Sequence, residues 1–202
     1  MATSVIEICN NALQDLGEDL IVSLSDGTKA ANLCNQRWPS VRDAVIRAHP
    51  WNCCMEMDSL APMSQTPAWR WNYQYQLPAD CLRVMAVANA SGVVVAEWEL
   101  QGRKLLCDID AEVLIRYVKR ETDPTVYDSL LSEALAARLS AVLAYPLSGS
   151  TSAQEAAWTI YQNKVAEARG MDAREGVTET LFTSAWEAAK LGSIRLGTVD
   201  TE

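Results

Sequence analysis

The chain has 202 residues, of which 49% are hydrophobic and 21% charged, and its formal net charge is −9. This composition is typical of a globular protein with a substantial core. The negative charge argues against a surface that binds nucleic acid by neutralising phosphates. We also expect no secretory signal and no membrane span, because no run approaches the ~20 apolar residues that a span needs.

The first predicted helix begins at Ser4, where Glu7 three residues later completes a capping-box pattern. Apolar residues then recur at helical spacing, and Gly17 is a natural stop. The members of this apolar face are Val5, Ile8, Cys9, Ala12, Leu13 and Leu16.

A second, longer helix is predicted within residues 25–52, with Asp26 as its N-cap, a kink at Pro39 and an end before Pro50. Asp43 precedes Arg47 by one turn, which favours an ion pair. One apolar stripe runs along this helix, formed by Ala30, Cys34, Trp38, Val41, Val45 and Ala48.

The middle of the chain reads as strands. Residues 53–70 lose periodicity and indicate an irregular loop. Toward its end, Trp69, Trp71, Tyr73 and Tyr75 alternate with polar residues, which is a strand signal. Further strands are predicted at 81–88, 93–100, 104–108 and 112–120, with a hairpin turn at 101–103.

Helical periodicity returns near the C-terminal part. Asp123 followed by Pro124 predicts a helix start, and Pro146 with Gly149 predicts its end. Thr151 with Gln154 predicts the cap of a helix to about residue 170. One side of the first of these helices is formed by Val126, Leu130, Ala134, Ala137, Ala141 and Ala144.

These elements predict an α+β fold, mainly a bundle of about four helices with an inserted small antiparallel β module and an extended C-terminal tail. The bundle comprises residues 1–52 and 123–175, the β module residues 53–122, and the tail residues 176–202. The apolar tail either docks on another chain or folds back on its own domain.

Signals of enzymatic chemistry are weak. His49 is the only histidine, and no phosphate-binding or nucleophile-elbow motif occurs. Asp108, Asp110 and Glu112 would share one face of a strand, but a solvated acidic edge is favoured over a metal site. We therefore expect no enzyme, no cofactor and no metal.

Six cysteines do not form a disulfide framework, since four lie on predicted helices or strands. Cys53 and Cys54 are adjacent, and adjacent cysteines rarely bridge. We expect free, buried thiols in a reducing cytoplasm. The six are Cys9, Cys34, Cys53, Cys54, Cys81 and Cys107.

The aromatic run at 69–75 could stack on bases or sugar rings, with Arg70 and Arg83 nearby. The net acidity argues against this use. A role in the core or in a protein interface is favoured.

Several motifs together resemble the tail tubular protein A family, the head-to-tail adaptors of tailed bacteriophages. The most specific are two segments: DGTKAAN at 26–32 with the W-P and R-A-HPWN residues that follow it up to position 52, and the Y-LP-DC-R segment at 75–83. Two further segments add to the resemblance, ICNNALQDLGE at 8–18 and YVKRETDPTVYDSLLSEALAARLSAVLA at 117–144. The resemblance covers about residues 4–174, and the last thirty or so residues carry no matching pattern.

The resemblance implies a helical bundle with a β module, and a virion protein made in the host bacterial cytoplasm. It implies a dodecameric ring between the portal and a tail nozzle or other downstream neck protein, which lets double-stranded DNA pass without specific binding. We expect portal anchors in the tail, at Phe182, Trp186, Leu191, Ile194, Arg195 and Leu196. Acidic residues that could line the channel are Glu97, Glu99, Asp108, Asp110 and Glu112.

Two other functions stay open. A packaging or regulatory nucleic-acid-binding protein would need a basic helix or patch. An enzyme using small molecules or a metal would have to employ Cys53–Cys54 or the Asp108, Asp110 and Glu112 region.

Overall fold

A computed structural model describes residues 4–175 of the chain. Within this range the fold is mixed α+β, as predicted, with helices at both ends and strands between them. The helices are α1 (Val5–Gln14), α2 (Lys29–Ala48), α3 (Ser129–Ser148) and α4 (Thr151–Glu175). The strands are β1 (Met55–Leu60), β2 (Tyr73–Gln76), β3 (Cys81–Asn89), β4 (Glu99–Gln101), β5 (Lys104–Cys107) and β6 (Val113–Lys119).

Helix α1 confirms its predicted cap. The Ser4 hydroxyl accepts a hydrogen bond from the backbone N–H of Glu7 at 3.1 Å, which satisfies one of the free donors of the first turn. The predicted apolar face is also confirmed, since Ile8, Cys9 and Leu13 are buried.

Helix α2 begins later than predicted. Thr28, and not Asp26, caps it by accepting from the N–H of Ala31 at 3.1 Å. The Asp26 carboxylate instead accepts from the N–H groups of Val22 and Ser23 and so closes the preceding loop. Both residues precede the helix by only a few positions, and the sequence alone did not separate these two roles.

The stripe of α2 is largely confirmed, because Cys34, Trp38, Val41 and Val45 are buried and the helix continues through Pro39. Ala48, at its end, is exposed, since the chain turns away there. The predicted pair of Asp43 with Arg47 is wrong. Asp43 lies 2.8 Å from both Arg42 and Arg120, while the Arg47 guanidinium donates to the carbonyl of Leu82.

Helix α3 packs against the other three helices and is the centre of the helical core. It begins after Asp128, whose carboxylate accepts from the N–H of Leu130; Asp123, the predicted cap, holds only a 3-10 turn. Leucines and alanines on all its sides are buried, namely Leu131, Ala134, Leu135, Ala137, Leu139, Ala141, Leu143 and Ala144. Val126, predicted to share that side, precedes the helix and is exposed.

Length and composition alone would allow α3 to cross a membrane, with a mean hydropathy of 1.3, contrary to the sequence expectation. About half of that stretch, 56%, is buried inside the protein. A helix at the centre of a folded core has the same properties, so the feature is weak support for a membrane span.

The break between α3 and α4 falls at Gly149, which has a left-handed φ of 69°. Pro146, predicted to end α3, lies inside it. Ser150, and not Thr151, caps α4 by accepting from the N–H of Ala153. Between the two helices, the Arg138 guanidinium carbon lies 4.1 Å from the ring centre of Trp158.

The strands form two antiparallel sheets and not the single sheet predicted. The first has the order β1-β6-β3 and the second β2-β5-β4. Strand β1 lies in the segment predicted to be an irregular loop. The region predicted as a strand at 93–100 contributes only an isolated bridge between Ala88 and Val94 before β4.

The two sheets share a core of their own. Tyr75, Leu105 and Cys107 of the second sheet pack with Val87 and Ile115 of the first. The first sheet also reaches the helical core through Val118, and through Met55 and Leu82 at its margin. The β module therefore rests on the helices through one end of the first sheet.

Candidate interaction surfaces

The His49-Pro50-Trp51-Asn52 segment forms a clamp between the end of α2 and the last turns of α4. The Asp172 carboxylate lies 2.9 Å from His49 Nε2 and accepts from the backbone N–H of Asn52 at 2.9 Å. The Asn52 amide donates to the Asp172 carbonyl. The only histidine of the chain is therefore engaged in a structural contact.

Trp51 completes this clamp from the inside. Its indole is 2% exposed and donates to the carbonyl of Val45 at 3.1 Å. The His49 ring meets it edge-on, with ring centres 4.7 Å apart. These contacts hold the Asp172 turn of α4 against the end of α2.

Trp69 is the most exposed tryptophan of the described residues, with 83% of its surface accessible. It precedes Arg70, a non-glycine residue with a positive φ of 65°, and its carbonyl accepts from the N–H of Trp71 at 2.8 Å. A three-residue turn of this kind is rare and strained. The predicted strand is therefore wrong at Trp69 and Trp71 and holds only at 73–76.

The turn at Trp69 is held firmly on its C-terminal side. The Trp71 indole is buried and donates to the carboxylate of Glu99 at 2.9 Å. Asn72 donates to Asp108 through both its backbone and its amide. An exposed tryptophan on such a fixed turn is pre-organised to enter a pocket of another molecule.

The aromatic run does not form the stacking platform that its alternation allowed. Tyr75 is fully buried, and its hydroxyl donates to the carbonyls of Ile109 and Ala111. The Arg70 guanidinium lies 4.8 Å from the Trp71 ring centre and covers it. Of the four aromatic residues, Trp69 is exposed and Tyr73 is half-buried, whereas Trp71 and Tyr75 are buried, so a row of stacked bases has no support here.

The five predicted channel residues are all exposed, and four of them also bind protein donors. Glu99 and Asp108 hold the Trp69 turn, and Glu112 accepts from the hydroxyl of Ser59. Partial burial of the Tyr73 phenol and its hydrogen bond to Asp110 both raise the pKa of Tyr73. Glu97 is the fifth and belongs to the rim of a depression of about 390 Å³ beside Trp71.

Asp108, Asp110 and Glu112 do not share a strand face as predicted, because they lie in the loop between β5 and β6. Among residues 4–175, no group of three His, Cys, Asp or Glu side chains is arranged to hold a metal ion. A channel-lining role for these carboxylates stays a prediction.

Cys53 and Cys54 lie side by side as free thiols with their sulfur atoms 3.8 Å apart. A hydrogen bond from Cys54 lowers the pKa of Cys53 to about 7 against the opposing effect of burial. The same hydrogen bond and burial raise the pKa of Cys54. Cys53 is half-buried, so it is the more reactive thiol of this pair.

The other four cysteines are free and buried, as predicted. The predicted portal anchors Phe182, Trp186, Leu191, Ile194, Arg195 and Leu196 lie outside the described residues. Sequence reasoning did not single out Trp69 as exposed, because the alternation around it resembles a strand. The Ser, Gln, Thr and Pro residues just before Trp69 predicted an irregular loop that includes it, and the structure agrees over residues 63–70.

No protein-family model matches the chain, and comparison with curated proteins finds no match.

Proposed function

We propose that this chain is a head-to-tail adaptor of a tailed bacteriophage virion. Copies of it would form a ring between the portal and the next neck or tail nozzle component and continue the DNA channel. The identity of the role rests on the resemblance of residues 4–174 to the tail tubular protein A family.

The residues that carry the resemblance make specific internal contacts in the fold. Thr28 of the DGTKAAN run caps α2, and His49 and Asn52 of the HPWN run hold α4. In the Y-LP-DC-R segment, the backbone carbonyl of Asp80 accepts from the backbone N–H of Arg120 at 2.7 Å. These contacts explain why the motif residues matter for the fold of this chain; the link to the family itself rests on the resemblance of the sequence.

The observation that favours an interaction protein is the exposed Trp69 on its fixed turn. An ordered aromatic side chain of this kind gains contact area at little cost in conformational entropy. In a ring, each subunit needs only a modest interface, because closure multiplies the weak contacts through effective concentration.

The finer features of the proposal concern the helices and the tail. The four helices would act as a bundle that carries the ring contacts, and residues 176–202 would dock on the portal. Phe182 and Trp186 would be the main anchors, since aromatic side chains dominate protein interfaces. Leu191, Ile194, Arg195 and Leu196 would extend that contact.

The acidic surface suits a channel for DNA. A wall of the same sign as the phosphates offers few cations, so a duplex can slide without binding. The residues proposed to line the channel are Glu97, Glu99, Asp108, Asp110 and Glu112. The alternative is that these carboxylates only keep the protein soluble.

Portal attachment tests the proposal directly. The full chain is mixed with the purified portal ring encoded in the same genome, and complex formation is followed by mass photometry. Trp186→Ala should weaken attachment by tenfold or more, as expected for an interface anchor, and leave the far-UV circular dichroism unchanged. Tyr145→Ala, at an exposed aromatic residue on α3, is the matched control; equal attachment of both variants would contradict the tail as anchor.

The alternative is a packaging or regulatory protein that binds nucleic acid. It predicts tight duplex binding that falls steeply as salt rises, because bound phosphates release counterions. Failure to bind the portal together with salt-sensitive DNA binding would replace the adaptor proposal with this one.

A further inference from the structure

The helices cover only one end of one face of the first sheet. Met55 and Val118 are opposite each other in the β1–β6 ladder, and both pack on the helical core. Two residues further along the same strands lie Met57 and Arg116, on the same face, since side chains alternate along a strand. Met57 is 74% exposed, so the cover ends between these two rows.

The uncovered part continues across the sheet. In register, Ser59 is opposite Leu114, Leu114 is opposite Ala88, and Ala88 bridges to Val94. Residues directly opposite each other share a face. We call this surface the open face; it comprises Met57, Ser59, Ala86, Ala88, Val94, Leu114 and Arg116.

The open face is mostly apolar and accessible. Val94 and Leu114 are 69% and 37% exposed, and a shallow groove of about 610 Å³ runs over Met57, Ala86 and Leu114. Exposed apolar surface that extends directly from a packed interface is a site where another segment can dock.

The described part of the chain ends in a helix whose last turn contacts the residues just before β1. Asp172, in the last turn of α4, is hydrogen-bonded to Asn52, and β1 begins three residues after Asn52, at Met55. The last turn of α4 is therefore held close to the start of β1, at the border between the helices and the first sheet. Residues 176–202 start from this border.

The segment that follows is long and apolar enough to cover the open face. Fully extended, residues 176–202 span roughly 90 Å, against roughly 20 Å for a strand as long as β1. Val177, Leu181, Phe182 and Trp186 are its first large apolar residues. Other occupants, such as a second copy, have no equivalent tether at this border.

We propose that residues 176–202 dock on the open face of their own chain, with Phe182 and Trp186 over Met57, Leu114 and Val94. This inference goes beyond the adaptor function and does not depend on it. If the adaptor function holds, the portal would capture residues 176–202 and the open face would be uncovered at the same moment. Attachment to the portal would thus be coupled to exposure of the open face.

Hydrogen–deuterium exchange with mass spectrometry on the full chain tests the docking. In the double variant Phe182→Ser/Trp186→Ser, amides at 55–60 and 91–95 should exchange about tenfold faster, because the apolar cover that limits local opening is lost. Amides of α3 should be unchanged, which shows that the fold is intact. Trp69→Ser is the matched control for loss of an exposed tryptophan and should leave β1 unchanged.

A second variant changes the open face and leaves residues 176–202 unaltered. Val94→Asp places a charge on the open face at an exposed position, and it should accelerate exchange within residues 177–196. Full-rate exchange of residues 177–196 in the unmodified chain would overturn the proposal. Unchanged exchange at 55–60 in the double variant would also overturn it, as would protection that rises with protein concentration, which would assign the open face to a second copy.

Discussion

The helical core and the open face use similar apolar residues in opposite ways. Leu139 and Leu143 of α3 are fully buried among three other helices, whereas Met57 and Leu114 of the first sheet are exposed. The same residue type therefore stabilises the fold in one region and is available for contact in the other. The difference indicates which substitutions should unfold the protein and which should only change its associations.

The largest expected difference in stability is between alanine variants of two leucines. Leu139→Ala removes a fully buried side chain from α3 and should lower the free energy of unfolding by about 2–5 kcal/mol. Leu114→Ala, on the open face, should change it by less than about 1 kcal/mol. Urea unfolding measures both; equal losses would show that the open face is as closely packed as the helical core.

Breaking the clamp at the end of α2 should cause the second largest loss of stability. Asp172→Ala removes the carboxylate that His49 and Asn52 contact and should cost about 1–3 kcal/mol. Glu167→Ala, at an exposed position on the same helix, should cost almost nothing. The exchange of amides at 165–175 localises the effect, and a uniform change over the whole chain would argue against a local clamp.

Replacing two glycines by alanine should change the stability by smaller amounts and in opposite directions. Gly149 has a φ of 69°, so Gly149→Ala should destabilise the protein by about 1–2 kcal/mol. Gly170 lies inside α4 with open space where a Cβ would point, so Gly170→Ala should stabilise it by about 0.5–1 kcal/mol. Thermal unfolding compares them, and shifts of the same sign would contradict the assigned helix boundary.

The last prediction concerns the reactivity of the Cys53 thiol and involves almost no change in stability. Because only the thiolate reacts, and the Cys53 pKa is lowered to about 7, its alkylation rate should rise with pH around a midpoint near 7. An ordinary thiol has its midpoint near about 8.5. Mass spectrometry of iodoacetamide-treated protein follows the rate, and Cys53→Ser should abolish the early phase; a midpoint above 8 would refute the lowered pKa.

Elements with strong local signals were predictable from the sequence. Ser4 and Glu7 define the start of α1, the apolar stripe defines the buried side of α2, and Gly102 lies in the predicted turn between β4 and β5. In each case the residues that carry the signal also make the contact. Local chemistry and tertiary structure agree there.

Other elements depend on distant partners. In strand β1, apolar and acidic residues alternate only over Met55–Asp58. The strand lies at the edge of its sheet and borders the open face, so most of its residues are exposed and its sequence lacks the apolar run of a buried strand. The exact caps of α2 and α3 were missed because several Asp, Ser and Thr residues compete at each start. Trp69 is exposed beside Arg70, whose positive φ is dictated by no residue type in that run.

We propose that this chain is a structural component of the virion neck. Cryo-electron microscopy of virions from a producing lysate, with mass spectrometry of their proteins, is the decisive test. We expect ring density below the portal that fits residues 4–175, with further density from the same chain reaching the portal. Absence of the chain from mature virions would contradict the account.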